Sequence, residues 1–222
     1  MDFTTIFLGV LLVAIIFYFT FNSGSQELSK KLDLGLPQTA ISARSLDQPS
    51  SSKYSYEMWL YVYKAETGPD KYIISRAGNT DNVKNIGIKL KSGEPKLLLE
   101  YLSNTSKKEV VVTDNLPLQT WVHLIVSVEN SFVDVYMNGK LVKSFQDTNI
   151  VAPLESSDIE YGTVHCYLAK LTRTTRATDP QTAWEKYMAG NGENPFAKIM
   201  SSFGLTLTLQ KNNQDYSKVT LF

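Results

Sequence analysis

Cysteine is almost absent from this chain, with Cys166 the single one in 222 residues. A disulfide framework within the chain and a cysteine-based zinc site are therefore excluded, and a lone thiol fits a domain facing a reducing compartment. Net charge is missing as well, because 22 basic side chains balance 22 acidic ones. No basic field of the kind that holds a phosphate backbone follows from such a balance, so no nucleic-acid partner is expected. Internal repeats and low-complexity blocks are lacking too.

No basic residue precedes the one long apolar run, FTTIFLGVLLVAIIFYFTF, Phe3 to Phe21. It carries no charge over about nineteen residues, close to the length that crosses a hydrocarbon core as a helix. A cleaved signal peptide has a basic leading region and a shorter apolar stretch, so residues 1–22 read as a transmembrane anchor that contacts the membrane through 3–21. Lys30, Lys31 and Arg44 follow the run. By the positive-inside tendency they set the carboxy-terminal bulk on the cytosolic side, whereas the sequon Asn104-Thr105-Ser106 points the other way. Residues 23–52 are rich in Ser, Gln, Lys and Pro without a sustained period, and read as a linker or stalk.

From residue 53 onward the period is that of strands. KYSYEMWLYVYK sets Tyr54, Tyr56, Met58, Leu60 and Val62 against Ser55, Glu57, Trp59, Tyr61 and Tyr63, the pattern of a central strand with two partly apolar faces. KYIISRAGN, IGIKLKS, KLLLEYLS and EVVVTD supply four more. WVHLIVSVENSFVDVYMNGKLVKSF predicts three antiparallel strands, with Val122, Leu124, Val126 and Val128 on one face and Val133, Val135 and Met137 likewise. Asn138-Gly139 suits a type I′ turn, since both residues tolerate positive φ. YGTVHCYLAKLTR reads as a further strand.

A helix is predicted over 180–188, capped by Asp179, begun by Pro180 and ended by Gly190 or Gly192. Its apolar stripe is Ala183, Trp184, Tyr187 and Met188. A hairpin closes the chain over about 205–222. The expectation is an all-β, antiparallel two-sheet jelly-roll sandwich over 53–222 with one short helix, behind an amino-terminal transmembrane helix.

YSYEMWLYVY, IISRAGN, WVHLIVSVENSFVDVYMNGKLV and CYLAKLTRTTRATDPQTAWEKY, taken in this order, resemble the concanavalin A-like lectin/glucanase superfamily and, within it, the laminin-G-like jelly rolls. The resemblance covers Tyr54 to Tyr187. It implies the fold, and leaves activity to be argued from a site, because hydrolases, lectins and adhesion modules share that fold. The apolar run, the linker and the closing residues 194–222 also look like membrane-anchored proteins of large DNA viruses of algae and protists.

The superfamily's glucanases set acidic residues on one strand so that nucleophile and acid/base face one groove. ESSDIE offers Glu155, Asp158 and Glu160, but Glu155 has the wrong parity, and these read as solvated loop carboxylates. Cys166 with His123 or His165 is a conceivable thiol dyad, against which stands a buried cysteine with two sheet-surface histidines. Some laminin-G-like domains bind calcium at one rim, which here implies Asn79, Asp81, Asn82, Asp114 and Asn115, oxygen ligands that also suit plain turns.

Tyr61 and Tyr63 are the candidate ligand-binding residues, while Tyr54 and Tyr56 read as core. Trp121 and Trp184 are assigned to packing, and Lys170, Arg173 and Arg176 to solvated charges. Together these residues predict a non-enzymatic, single-pass membrane protein that displays a binding or structural module to a protein partner. In a virus it would be a minor virion protein joining internal membrane to capsid protein. The alternative is a membrane-anchored, carbohydrate-binding lectin domain, and a glycoside hydrolase stands third.

Overall fold

The computed structural model describes residues 9, 11–13, 24–78, 83–191, 206–211 and 214–220. Their strands are β1 (Ser25–Asp33), β2 (Lys53–Val62), β3 (Lys71–Ala77), β4 (Lys84–Leu90), β5 (Leu97–Ser103), β6 (Ser106–Thr113) and β7 (Trp121–Glu129). Then come β8 (Phe132–Met137), β9 (Lys140–Gln146), β10 (Ile159–Tyr161), β11 (Cys166–Thr174), helix α1 (Pro180–Met188), β12 (Thr206–Lys211) and β13 (Gln214–Thr220).

A six-stranded sheet in the order β1-β11-β2-β7-β8-β9 packs on a five-stranded sheet in the order β10-β3-β4-β5-β6. We call these the larger and the smaller sheet. Every pairing is antiparallel, and strands β12 and β13 form the expected hairpin.

The alternation that predicts the strands also fills the core. Tyr54, Tyr56, Met58, Leu60 and Val62 of β2, the four predicted residues of β7, and Val133 and Val135 of β8 all enter one buried cluster. Opposite them lie Ile86, Ile88, Leu90, Leu97 and Leu99 of the smaller sheet. Removal of this apolar surface from water is the main stabilising term. Asn138 and Gly139 turn β8 into β9 with φ of 50° and 75°, as their types demand. Helix α1 begins and ends as predicted: the Asp179 carboxylate accepts from the Thr182 N–H at 2.9 Å, Pro180 opens it, and Gly190 follows at φ 74°.

Two expectations are corrected. Of the expected stalk, 23–52, the described residues 24–52 belong to the sandwich: Ser25–Asp33 pairs with β11 as an edge strand, and Leu34, Ala43 and Leu46 are buried. The segment was unreadable as a strand because only Leu28 and Leu32 of SQELSKKLD are apolar, and an edge strand is held largely by backbone pairing. YGTVHCYLAKLTR is not one strand: its Tyr161 ends β10, which closes the smaller sheet against β3, and Cys166 onward forms β11 in the larger one. Gly162 allows this crossing, since a Cβ there would lie 1.8 Å from the Tyr72 carbonyl oxygen.

The expected anchor, residues 3–21, lies almost wholly outside the described residues. Gly9 and Leu11 to Val13 are described, and they are helical and exposed. Among the described residues no helix is long and apolar enough to cross a membrane.

Candidate functional site

The outer face of the larger sheet is divided in two, and the division decides where a ligand can sit. Over half of that face lie helix α1 and the turn before it. Thr178 donates from its N–H to Ser127 Oγ at 2.8 Å and from its hydroxyl to Ser55 Oγ at 2.9 Å. Ala183 packs with Ile125 and Tyr136, and Tyr187 stacks on Trp59 with centroids 5.8 Å apart. His123 and Glu57 are buried beneath the helix. His123 is therefore not the sheet-surface residue that alternation implies, because the helix covers its face of the sheet.

Past Trp59 the same face is open. β2 pairs with both β7 and β11, so Tyr61 lies opposite Trp121 on one side and Tyr167 on the other. The ring centroids of Tyr61 and Trp121 are 5.5 Å apart, those of Tyr61 and Tyr167 6.1 Å, and those of Tyr167 and Tyr63 4.9 Å. His165 continues the strip at 5.7 Å from Tyr63. The four rings are tilted to one another and none is fully buried, Tyr167 being 36% exposed. They form an aromatic strip.

Hydrogen-bonding groups border the strip. Tyr63 Oη lies 3.4 Å from Asp33 Oδ1, which also accepts from the Gly35 N–H at 2.9 Å. Burial and the Asp33 charge raise the Tyr63 hydroxyl, which keeps it a donor. Glu66 accepts from the His165 N–H at 2.6 Å and pairs with Lys71 at 2.8 Å. Burial works to raise the Glu66 carboxyl, but these partners outweigh it and hold it below the usual carboxylate range. At the other end Lys31 Nζ sits 5.9 Å from the centre of a Trp121 ring, within cation–π reach.

Of the predicted ligand-binding residues, Tyr61 and Tyr63 thus fall on one strip. Trp121, read as packing, belongs to it, and Tyr167 and His165 were missed. Their common signal is parity: Tyr61, Trp121 and Tyr167 share a face once the order β7-β2-β11 is known. Trp184, assigned to packing, lies against the Gly139 turn and the Tyr187 ring and stays 46% exposed.

Arg173, read as solvated, is buried and donates to the carbonyls of Asp47 and Gln48. Lys170 reaches the Gly190 carbonyl at 3.1 Å, and Arg176 is exposed. Cys166 lies in the core, where burial pushes its thiol up to about 12, and His123 is on the other side of the sheet. No thiol dyad exists.

The carboxylates of ESSDIE are engaged separately. Asp158 accepts the Ala43 N–H at 2.7 Å, Glu160 pairs with Lys84, and Glu155 is exposed. Asn79, Asp81 and Asn82 lie outside the described residues. Asp114 and Asn115 follow Thr113 at the end of β6, where the Asn115 N–H donates to Thr113 Oγ1 at 3.2 Å. Among the described residues no group of three or more His, Cys, Asp or Glu side chains is placed to hold a metal ion.

The family model described as the concanavalin A-like lectin/glucanases superfamily matches residues 37–163. Among solved structures, the ligand-binding domain of botulinum neurotoxin serotype D in complex with N-acetylneuraminic acid superposes with a TM-score of 0.57 at 10% identity, covering 74% of this chain and 44% of that one. The binding domain of Paraclostridial Mosquitocidal Protein 1 gives 0.53 at 14%, covering 75% and 46%. The binding domain of botulinum neurotoxin DC in complex with rat synaptotagmin II gives 0.51 at 12%, covering 63% and 36%. At such identities the likeness is one of fold, and the chain spans less than half the length of these solved chains. No curated protein sequence matches it.

Proposed function

This chain belongs to the concanavalin A-like lectin/glucanases superfamily, and on that premise we propose that it is a non-catalytic, membrane-anchored binding module that takes a carbohydrate on the Trp121, Tyr61, Tyr167 and Tyr63 strip. The observation that carries this reading is the open half of the larger sheet. Aromatic rings with polar tips stay accessible there, while the neighbouring half of the same face is covered. Sugar rings present apolar C–H faces that stack on such rings and hydroxyls that suit groups such as Asp33 and Glu66. The similar domains solved with N-acetylneuraminic acid and with synaptotagmin II are binding domains by description. The engagement of Asp158 and Glu160 elsewhere supports the non-catalytic reading.

Titration of the full chain in detergent micelles against a glycan panel tests this. Saturable binding is expected, and Tyr61→Ala or Tyr167→Ala should weaken it about tenfold or more. Hydrolysis of a β-glucan by the protein would overturn it.

A second reading is favoured by Lys30, Lys31 and Arg44, which follow the uncharged run with no basic residue before it. On the cytosolic side of a membrane free glycans are few, and the strip would take a protein partner. In a virus with an internal membrane that partner would be capsid protein, and the chain a minor virion component. Protease protection on sealed vesicles separates the readings: a shielded domain, or one glycosylated at Asn104, is lumenal and meets glycans, whereas a digested one meets cytosolic protein. Cross-linking in purified particles that recovers no capsid protein would remove the virion role.

A further inference from the structure

We infer that Glu66 and His165 form the polar end of the strip, with His165 Nε2 presented as a bare acceptor for a hydroxyl of the sugar that stacks on Tyr63. This rests on the strip being the glycan site. Glu66 comes from the loop between β2 and β3, and its carboxylate is buried, with 1% of the side chain exposed. One of its oxygens, Oε1, accepts twice from the same residue, from the His165 N–H at 2.6 Å and from the ring at Nδ1, 3.0 Å away. The other, Oε2, lies 2.8 Å from Lys71 Nζ. A carboxylate held ionised by these partners has only lone pairs to offer, so Nδ1 must carry the proton. On the neutral ring Nε2 then keeps a lone pair and no hydrogen.

The surroundings of the pair point to a ligand. The Tyr63 N–H donates to the His165 carbonyl at 3.1 Å, which sets the two side chains next to each other on adjacent strands, and their rings meet edge to face with centroids 5.7 Å apart. The imidazole is thus fixed on two sides while 39% of the side chain stays exposed. The nitrogens of an imidazole point apart, so Nδ1 on the buried carboxylate turns Nε2 away from it. The other histidine shows the contrast. His123 meets Glu57 through Nε2 at 3.3 Å, and helix α1 covers that pair, leaving the His123 side chain 0% exposed. In the Glu66 pair a buried carboxylate orients an exposed ring, the relation of a positioning residue to a contact residue. A sugar stacked on Tyr63 carries its hydroxyls around the rim of its ring, on the side where His165 lies. An ether oxygen there has no proton to give, so the geometry selects a free hydroxyl.

The test sets neutral oligosaccharides beside their O-methylated counterparts and probes both with the full chain in detergent micelles. Methylation removes the hydroxyl donors and keeps the oxygens, and the unmodified members should bind about tenfold or more tightly. That preference should shrink in His165→Asn, whose amide can replace Nδ1 against Glu66 but has no atom at the Nε2 position. It should return in part in His165→Gln, whose amide oxygen reaches that position. Thermal unfolding run on each variant shows that it folds. Nitrogen-15 spectra of the imidazoles at pH 8 should show Nδ1 of His165 protonated and Nε2 bare, and Glu66→Gln should move these signals toward a mixture of both tautomers. Binding and preference unchanged in His165→Asn, or a protonated Nε2 in the wild type at that pH, overturns the inference. If Tyr61→Ala still weakens binding in that case, the glycan site on the strip stands. Absence of binding to any member removes the strip reading and this inference with it.

Discussion

His123 Nε2 lies 3.3 Å from Glu57 Oε1, and both residues are buried between the larger sheet and helix α1. Lys186 of the helix pairs with the second Glu57 oxygen at 2.8 Å. The covered half of the sheet is thus tied to its helix through one carboxylate. Burial works to raise that carboxyl, but the His123 hydrogen bond and the Lys186 charge outweigh it, so it titrates below the usual range.

The pH dependence has a definite sign. A carboxylate depressed in the folded state adds stability above its unfolded value, about 4.3, and that stability is lost as pH falls through the lower folded value. Urea unfolding followed from pH 6 down to pH 3 should show a steeper loss for the wild type than for Glu57→Gln. Parallel curves would show that this carboxylate does not link the helix to the sheet.

The amino-terminal boundary can be tested by truncation. A chain beginning at Gly24 keeps β1 and should fold, as judged by its far-ultraviolet β signal and a cooperative melt. A chain beginning at Lys53 loses β1 and the buried Leu34, Ala43 and Leu46, uncovers the edge of β11, and should aggregate. Cooperative folding of the shorter chain would return residues 24–52 to the status of a linker.

The two faces of β8 should differ in what they tolerate. Val135 is fully buried in the sandwich core, and Val135→Ala should cost roughly 1–3 kcal/mol. Asp134 points the other way, is only partly buried, and its replacement by alanine should change stability by less than about 1 kcal/mol. Equal shifts in urea unfolding would mean that the faces are exchanged.

Gly162 lets the chain cross from β10 toward β11. A methyl group at that position would overlap the Tyr72 backbone, which cannot rotate away as a side chain can. Gly162→Ala should therefore cost about 2 kcal/mol or more in thermal or urea unfolding. A neutral result would show that β3 and β10 separate easily at this crossing.

How much was legible depended on whether a residue's partner was local. The rings of the strip illustrate this. Tyr61 and Tyr63 stood out on their own strand, whereas Trp121 could be recognised as their companion only through the pairing of β2 with β7, and Tyr167 only through β11. Each of those pairings joins segments far apart in the chain. Parity along one strand cannot tell which neighbour lies beside it.

Alternation by itself determined the core of β2, β7 and β8, because side chains on a strand must take opposite sides and one side must leave water. Local conformational preference likewise determined the Asn138-Gly139 turn and both ends of α1. Tertiary structure alone decided that β1 is a strand, since its nearly all-polar sequence is ordered by the edge of β11. It also decided that Arg173 is buried, since its guanidinium finds the Asp47 and Gln48 carbonyls only after the chain returns to them. The same holds for the site: Tyr61 and Trp59 lie on the same face of one strand, and what separates an accessible ring from a covered one is a helix that arrives more than a hundred residues later.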